Sequence, residues 1–442
     1  MPIDAPPAAP PAAVAPAEPG IAAGAEPGLA AKTEPGYAAQ IARAERLIAA
    51  GSPAEARAVL LQLEAAGRHD SQLLFLLGMA AMAQNDHSEA IRRFRAILAR
   101  EPTAVRVRLE LARAFFAAGD WRNAERQFRF ARAGNIPVVV QRKVDGYLVQ
   151  IRRLRTFSFG FSVSVAPDTN VNAGPSTDNV TLYGLPFELS QDARASSGVG
   201  MALAVQAAWT PRLSRDWRWD FAASGYTRLY TRARFSEAAV VLATGPHLVR
   251  DRIDASLHAT ATRRWYAGDT YAQGLGGAVD ATWYLTGRTA LTGSAELSQV
   301  DYPHFTAQSG PVARLAVGVL RSLTPASLGR VGLSWGREAA DDPAFANRSI
   351  GLDAGYVREF GAGITVNLGA RVRQSRYDVA VEAFGAKRRD EQYVVQGGLV
   401  LRRLQVKGFA PSVTVTETFN DSNITLYRFR RTRFEFGLTR NF

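Results

Sequence analysis

RRTRFEFGLTRNF, residues 430–442, decides the fold. Phe434, Phe436, Leu438, Arg440 and Phe442 share one side of this segment, and Glu435, Gly437, Thr439 and Asn441 take the other. Successive side chains on a strand point to opposite faces, so the pattern gives one oily and one polar surface. A final aromatic on such a strand is typical of barrels inserted in bacterial outer membranes. The preceding residues repeat the pattern. Phe157, Phe159, Phe161, Val163 and Val165 alternate with Ser158, Gly160, Ser162 and Ser164. Val199, Met201, Leu203, Val205 and Trp209 oppose Gly200, Ala202, Ala204 and Gln206. Ile364, Val366, Leu368 and Val372 oppose Thr365, Asn367 and Arg371, and Tyr393, Val395 and Leu399 oppose Gln396.

From Thr156 onward the spacing predicts fourteen strands. They fall near 156–165, 196–209, 216–229, 238–249, 252–264, 270–285, 288–301, 310–322, 328–338, 347–360, 363–377, 391–405, 411–420 and 429–442. An even count places both barrel ends on one side of the membrane. Short turns at 250–251, 285–288 and 360–363 alternate with polar loops at 166–195, 301–309, 337–346, 378–390 and 421–428. A soluble two-sheet protein also carries alternating strands. It does not account together for the terminal Phe442, the loop rhythm and strands of 10–15 residues. Trp209, Trp217, Trp219, Trp265, Tyr266, Trp283 and Tyr284 sit near strand ends. They are expected to form the aromatic girdles of a lipid–water boundary.

Residues 37–155 read differently, as an α-solenoid. Ala56, Ala90 and Ala124 are spaced 34 apart, and so are Leu60, Phe94 and Phe128. The turns Gly51-Ser52, Asn85-Asp86 and Gly119-Asp120 keep the same step. That is the period of tetratricopeptide repeats. A small Ala lets two helices approach, and a Phe or Leu one turn later fills the space beside them. Three helix pairs are expected at 37–68, 71–102 and 105–136, with a capping helix at 138–155. Gln72, Phe75 and Met79 on the first helix of the second repeat are the expected exposed, cargo-binding candidates, since repeat arrays present a continuous binding surface. Residues 1–36, rich in Pro, Ala, Gly and Glu, cannot bury a core and are expected to be disordered. They lack the apolar core of a signal peptide. Because an outer-membrane protein must be exported, the signal is expected to lie outside this numbering. The chain therefore reads as an α+β multidomain protein: 1–36 disordered, 37–155 a periplasmic tetratricopeptide-like solenoid, 156–442 a 14-stranded antiparallel transmembrane β-barrel.

Composition narrows the function. The formal charge of +13 divides into +6 before Thr156 and +7 after it, so neither part is a basic arm for nucleic acid. The 49 arginines against 4 lysines reflect codon composition more than nucleic-acid binding. There is no cysteine, hence no disulfide or thiolate metal site. No apolar run reaches the roughly 18 residues of a transmembrane helix. His69, His87, His247, His258 and His304 are scattered without metal-ligand spacing, and no nucleophile elbow or phosphate loop occurs. Gly274, Gly276 and Gly277 lie within a strand and read as close packing. Asp341 and Asp342 before Pro343 read as a solvated turn. No catalytic, cofactor or metal residues are expected, and the chain is not read as an enzyme.

Two segments carry a family resemblance. Pro167-Asp168-Thr169-Asn170-Val171-Asn172 follows the first strand, and Ser422-Asn423-Ile424 with Tyr427 and Arg431 precedes the last. With the repeat-plus-barrel order, residues 37–442 resemble the surface lipoprotein assembly modulator (Slam) family, also grouped as type XI secretion. The resemblance implies an outer-membrane factor that delivers selected lipoproteins, or related secreted haem- or metal-acquisition proteins, to the cell surface. It implies that the helices engage cargo and the barrel aids passage, with outer-membrane lipid and the barrel assembly machinery as further partners. Asp168, Asn170, Asn172, Asn423 and Tyr427 are the candidate functional-loop residues, with turn-forming side-chain chemistry the other reading. Phe434, Phe436, Leu438 and Phe442 are assigned to the barrel-closing strand. The competing function is export of a polysaccharide or other polymer, although such exporters carry longer repeat arrays. A diffusion porin needs no repeat domain, and a scaffold would use the barrel only as an anchor.

Overall fold

The computed structural model describes residues 35–406 and 409–440, which fall into two compact units divided near residue 97. The expected disorder of residues 1–36 lies almost wholly outside the described residues, as does Phe442.

The first unit holds four helices, α1 (Pro35–Ala49), α2 (Pro53–Ala65), α3 (Ser71–Ala83) and α4 (His87–Leu98). Its core gathers Tyr37, Ile41, Ala44, Ala56, Leu60, Leu63, Leu73, Leu76 and Leu77. The repeat positions do what their spacing predicts, since Ala56, Leu60, Ala90 and Phe94 are all fully buried. Gly78 completes the arrangement. A Cβ there would lie 2.6 Å from the Phe94 ring, so only glycine leaves room for it. Asp70 caps α3 by accepting from the backbone N–H groups of Gln72 and Leu73, both at 3.0 Å, which satisfies donors left free at a helix start. The Tyr37 hydroxyl donates to the same carboxylate at 2.5 Å and ties α1 to the cap.

The second unit begins with α5 (Val105–Ala117), α6 (Trp121–Arg132) and α7 (Val138–Leu154). Ala124 and Phe128, the third members of both series, are buried here, and Phe128 stacks on Tyr147 with ring centres 4.8 Å apart.

The barrel strands are β1 (Phe157–Asp168), β4 (Gly198–Trp209), β5 (Trp217–Tyr230), β6 (Glu237–Arg250), β7 (Ile253–Tyr266), β8 (Asp269–Tyr284) and β9 (Thr289–Asp301), followed by β10 (Gly310–Thr324), β11 (Ser327–Glu338), β12 (Asn347–Glu359), β13 (Ile364–Val381), β14 (Ala386–Leu401), β15 (Ala410–Ser422) and β16 (Phe429–Thr439). Each pairs antiparallel with its neighbour in sequence, and β1 meets β16, so the sheet closes on itself. Among the described residues this makes fourteen barrel strands. Closure has a physical cause. An unpaired backbone group in hydrocarbon costs on the order of several kcal/mol, and a closed ladder leaves no free edge. Alternation sorts the side chains. Leu257, Leu275, Leu297, Leu315, Leu333, Ile350, Leu368 and Val395 all stand exposed on the outer surface. The opposite parity turns inward, where Arg330 pairs with Asp353 at 2.7 Å and Arg314 with Glu296 at 3.3 Å.

Several boundaries differ from expectation. β1 runs on through Pro167 to Asp168, so the Pro-Asp motif begins inside the strand. The expected loop 166–195 contains a separate hairpin, β2 (Asn179–Leu182) with β3 (Leu185–Glu188). The expected loop 378–390 shrinks to 382–385, because β13 and β14 continue pairing up to Val381↔Ala386. The register of β13 with β14 shifts between Arg376 and Ala380, which hides the two-residue period in this extension.

Phe94→Ala should destabilise the first unit by about 3–5 kcal/mol, the usual cost of emptying a buried phenylalanine site. Thermal melting of the helical circular-dichroism signal in detergent measures this. Gly78→Val should act in the same direction through overpacking. A melt unchanged in both variants would contradict the packing described.

Candidate functional site

The two motif segments converge where β1 meets β16. Parity turns Asp168 inward at the end of β1 away from the helices. There its carboxylate, with no solvent exposure, receives Arg431 Nη2 at 2.6 Å and Arg431 Nε at 2.9 Å. The Tyr230 hydroxyl of β5 donates to the same carboxylate at 3.1 Å. Tyr230 reaches it by lying over glycines, since a Cβ on Gly200 would be 2.7 Å from its ring. Asn170 serves two roles. Its side chain closes a turn with the backbone of Gly174, donating and accepting at 2.8 Å, and also donates to the Arg430 carbonyl at 3.1 Å. Thr432 N donates to Thr169 Oγ1 at 2.9 Å, and Thr169 N returns a bond to the Thr432 carbonyl at 3.0 Å. Residues 263 apart in sequence are thus laced across the closing seam.

The other loop candidates lie nearby but outside this cluster. Asn172 donates to the carbonyls of Asp192 and Arg194 and accepts from Ser196 N, folding the long first loop. Asn423 accepts from Arg389 N at 2.7 Å and donates to the Lys387 carbonyl at 2.9 Å. Tyr427 lies beneath the Arg388 guanidinium, 3.3 Å from its ring centre. Both therefore bind the last loop to the β13–β14 hairpin. Phe434, Phe436 and Leu438 stand exposed on the outer face of β16. Gln72, Phe75 and Met79 share one face of α3 but are half-buried rather than exposed. The Gln72 amide donates to Glu45, and the Phe75 ring lies 5.7 Å from that of Phe94, so neighbouring helices cover part of this face.

At the opposite end, α5–α7 are fastened to the barrel rim. Glu359 closes β12 and is buried. It meets Arg108 Nη1 at 2.7 Å, Arg126 Nη2 at 3.1 Å and Arg402 Nη1 at 2.5 Å. Arg108 is wholly buried, donates also to Gln127 and to the Pro102 carbonyl, and lies over Phe130. Burial lowers the pKa of Arg108 and Arg126, and the Glu359 charge pulls each back up. Arginine is effectively always protonated in proteins, so both guanidiniums keep their charge. Further contacts run round the rim. Arg288 donates to the carbonyls of Arg132 and Gly134, Arg152 donates to the Asp251 carbonyl, Arg153 pairs with Asp216, and Ala362 N donates to the Ala99 carbonyl. The turns β4–β5, β6–β7, β8–β9 and β12–β13 all take part, so α5–α7 lie across this end of the barrel. Tyr284 belongs here rather than to a girdle: it accepts from Arg129 and stacks beneath Arg152. Trp209, Trp217, Trp219 and Trp283 stand exposed at this end, and Tyr266 beside Trp265 at the other.

The profile of the Surface lipoprotein assembly modifier family matches residues 157–442, and that of its N-terminal TPR repeats matches residues 54–128. This chain belongs to the surface lipoprotein assembly modifier family. Surface lipoprotein assembly modifier 1 of Neisseria meningitidis is 24% identical over 380 residues, covering 84% of this chain and 76% of the relative. Surface lipoprotein assembly modifier 2 of Haemophilus influenzae is 22% identical over 420 residues, covering 89% and 84%. Among solved structures, a Pseudomonas aeruginosa FadL homologue aligns over 70% of this chain and 93% of its own, at 9% identity and a TM-score of 0.41. Membership and the barrel together place the chain in the outer membrane, with its helical domain in the periplasm and a role in surface lipoprotein assembly. The resemblance of residues 37–442, drawn from the repeat-plus-barrel order, thus names the family that these matches show.

Two groups escaped the sequence reading. Glu359 and its arginines come from four separate elements, and no local pattern links them. His247 and His258, scattered in sequence, both reach Asp220, at 3.1 and 2.9 Å, and His247 also meets Asp254 at 2.8 Å. Their shared inward parity on β5, β6 and β7 was the available signal.

Glu359→Gln leaves three guanidiniums without their shared counter-charge. Breaking a buried pair this way should weaken the rim attachment by about 3–5 kcal/mol. Trypsin should then cut within residues 98–155 at lower protease concentration, while the heat-modifiable gel shift of the folded barrel persists. Unchanged cleavage would show that the node does not hold the helices.

Proposed function

We propose that this modifier delivers particular lipoprotein clients to the cell surface, with the periplasmic repeats engaging the client and the barrel aiding its passage. One observation supports this reading above the others: the last three helices of the repeat segment are bound to the barrel rim through Glu359 and its neighbours. The C-terminal helices of the repeat segment and the membrane-spanning cylinder are therefore held together by a buried attachment. A barrel serving only as an anchor would need no such buried attachment. The inner wall is polar, lined by groups such as Arg330, Asp353, Arg314 and Glu296, and suits an extended polypeptide better than an apolar solute. We assign Gln72, Phe75 and Met79 to client engagement on α3. Outer-membrane lipid borders the exposed leucines and aromatics, and the barrel assembly machinery is the partner that would insert this cylinder.

Protease shaving of intact cells tests the delivery role. A deletion strain should lose surface exposure of a tagged lipoprotein client, and the restored gene should return it. Unchanged exposure would defeat the proposal, and polymer accumulating in the periplasm of the same strain would favour export of a polysaccharide instead. Gln72→Ala with Met79→Ala leaves the Phe75–Phe94 contact in place. The double variant should reduce client capture in a pull-down without lowering the melting temperature. Capture equal to that of the unaltered protein would remove α3 from the binding surface.

A further inference from the structure

The ladder between β1 and β16 is unlike the others. Only five positions are paired among the described residues: Ser162↔Thr439, Val163↔Leu438, Ser164↔Gly437, Val165↔Phe436 and Asp168↔Arg433. The next shortest ladder, β4 with β5, pairs ten. Pairing lapses at Ala166-Pro167, where proline offers no N–H, opposite Phe434-Glu435. Topology adds a second difference. Every other neighbouring pair is joined by a turn or loop at one end, whereas β1 and β16 are joined at neither. Among the described residues, separating them breaks the shortest paired ladder, together with the backbone bonds from Arg440 N to the Phe161 carbonyl and from Thr169 N to the Thr432 carbonyl, and strains no connection.

Beyond Pro167 the seam is held by the backbone bond from Thr169 N to the Thr432 carbonyl and by side-chain chemistry. Asp168, Arg431 and Tyr230 form a buried clasp facing the lumen, with Arg431 contributed by one side of the seam and Asp168 by the other. Such bonds break and re-form without unfolding a strand. Outside the seam, Phe159, Val165, Phe434, Phe436 and Leu438 present an oily surface to lipid.

A lipoprotein poses a particular problem for a closed cylinder. Its polypeptide suits a polar lumen, but its acyl chains do not, and burying them there would forgo contact with hydrocarbon. A slit in the wall resolves the conflict, because acyl chains can travel in the lipid while the attached chain travels inside. We propose that the β1–β16 seam is the lateral exit for the acylated end of the client, with Asp168, Arg431 and Tyr230 as its clasp. This rests on the delivery role proposed above.

The absence of native cysteine makes a direct test available. Ser162 faces Thr439 across the seam and Ala204 across the β1–β4 ladder. The variant S162C/T439C bridges the seam, and S162C/A204C bridges a wall expected to stay shut. Both, and the unaltered protein, are expressed at full length in cells carrying an epitope-tagged surface lipoprotein. After oxidation, bridging is confirmed by mass spectrometry and display is read by protease shaving. The seam-bridged protein should lose display and regain it on reduction, which also shows that it is folded. The S162C/A204C protein should display the client in both states. Full display with the seam completely bridged would overturn the lateral exit while leaving delivery intact. Loss of display in both bridged variants would overturn it too, pointing to a lumen narrowed by any cross-link. Failure of the unaltered protein to display the lipoprotein would instead count against the delivery role.

Discussion

Pairing of backbone N–H and C=O groups in a medium that offers no water is the constraint on which the rest depends. It requires the strands to close, and closure requires β1 to find β16 across the whole length of the barrel sequence. Among the described residues the chain meets this demand with a ladder of five paired positions and supplements it with further backbone bonds and side chains. Gly437 permits the close approach, since a Cβ there would lie 2.0 Å from the Val163 carbonyl oxygen. The Asp168–Arg431 pair and the Asn170 and Thr169 bonds then fix the register beyond the point where Pro167 interrupts it.

The two ends of the barrel use the same chemistry for different ends. At the helix side, one buried carboxylate gathers three guanidiniums from α5, α6 and the β14–β15 connection. At the far side, one buried carboxylate on β1 gathers an arginine from the closing strand β16 and a tyrosine from β5. Buried ion pairs add little net stability over well-packed apolar groups, because desolvation offsets most of the attraction. Their value here is positional. A misdocked helix or a slipped strand leaves a charge buried without its partner, so the wrong arrangement is penalised heavily.

Periodicity made the fold legible. The 34-residue steps through Ala56, Ala90 and Ala124 and through Leu60, Phe94 and Phe128 mark residues that prove fully or almost fully buried, and two-residue alternation fixed the lipid-facing set. Both signals are local repeats, which a single sequence displays. The hairpin β2–β3 left no such trace, because its four-residue strands are too short to show a period. Tyr284 looked like a girdle residue until its parity placed it beneath the helices. The clasp was half-visible: Asp168 and Arg431 were both singled out, but their pairing depends on closure and not on spacing. The Glu359 node was invisible, since Arg108 and Glu359 are 251 residues apart and neither belongs to a motif. α3 shows the remaining limit, as its face could be read from sequence while the cover provided by Glu45 and Phe94 could not.

A closed cylinder in the outer membrane must touch fatty acyl chains with its outer surface. Brominated acyl chains quench indole fluorescence on contact, and Trp335 lies exposed on the outer face of β11. A variant retaining Trp335 alone, reconstituted in vesicles of lipid brominated along the acyl chain, should lose most of its fluorescence. A variant retaining only Trp121 of α6 should keep its own. Equal emission from the Trp335 variant in brominated and ordinary lipid would contradict the membrane-spanning cylinder, as would a protein that remains a dispersed monomer in buffer without detergent.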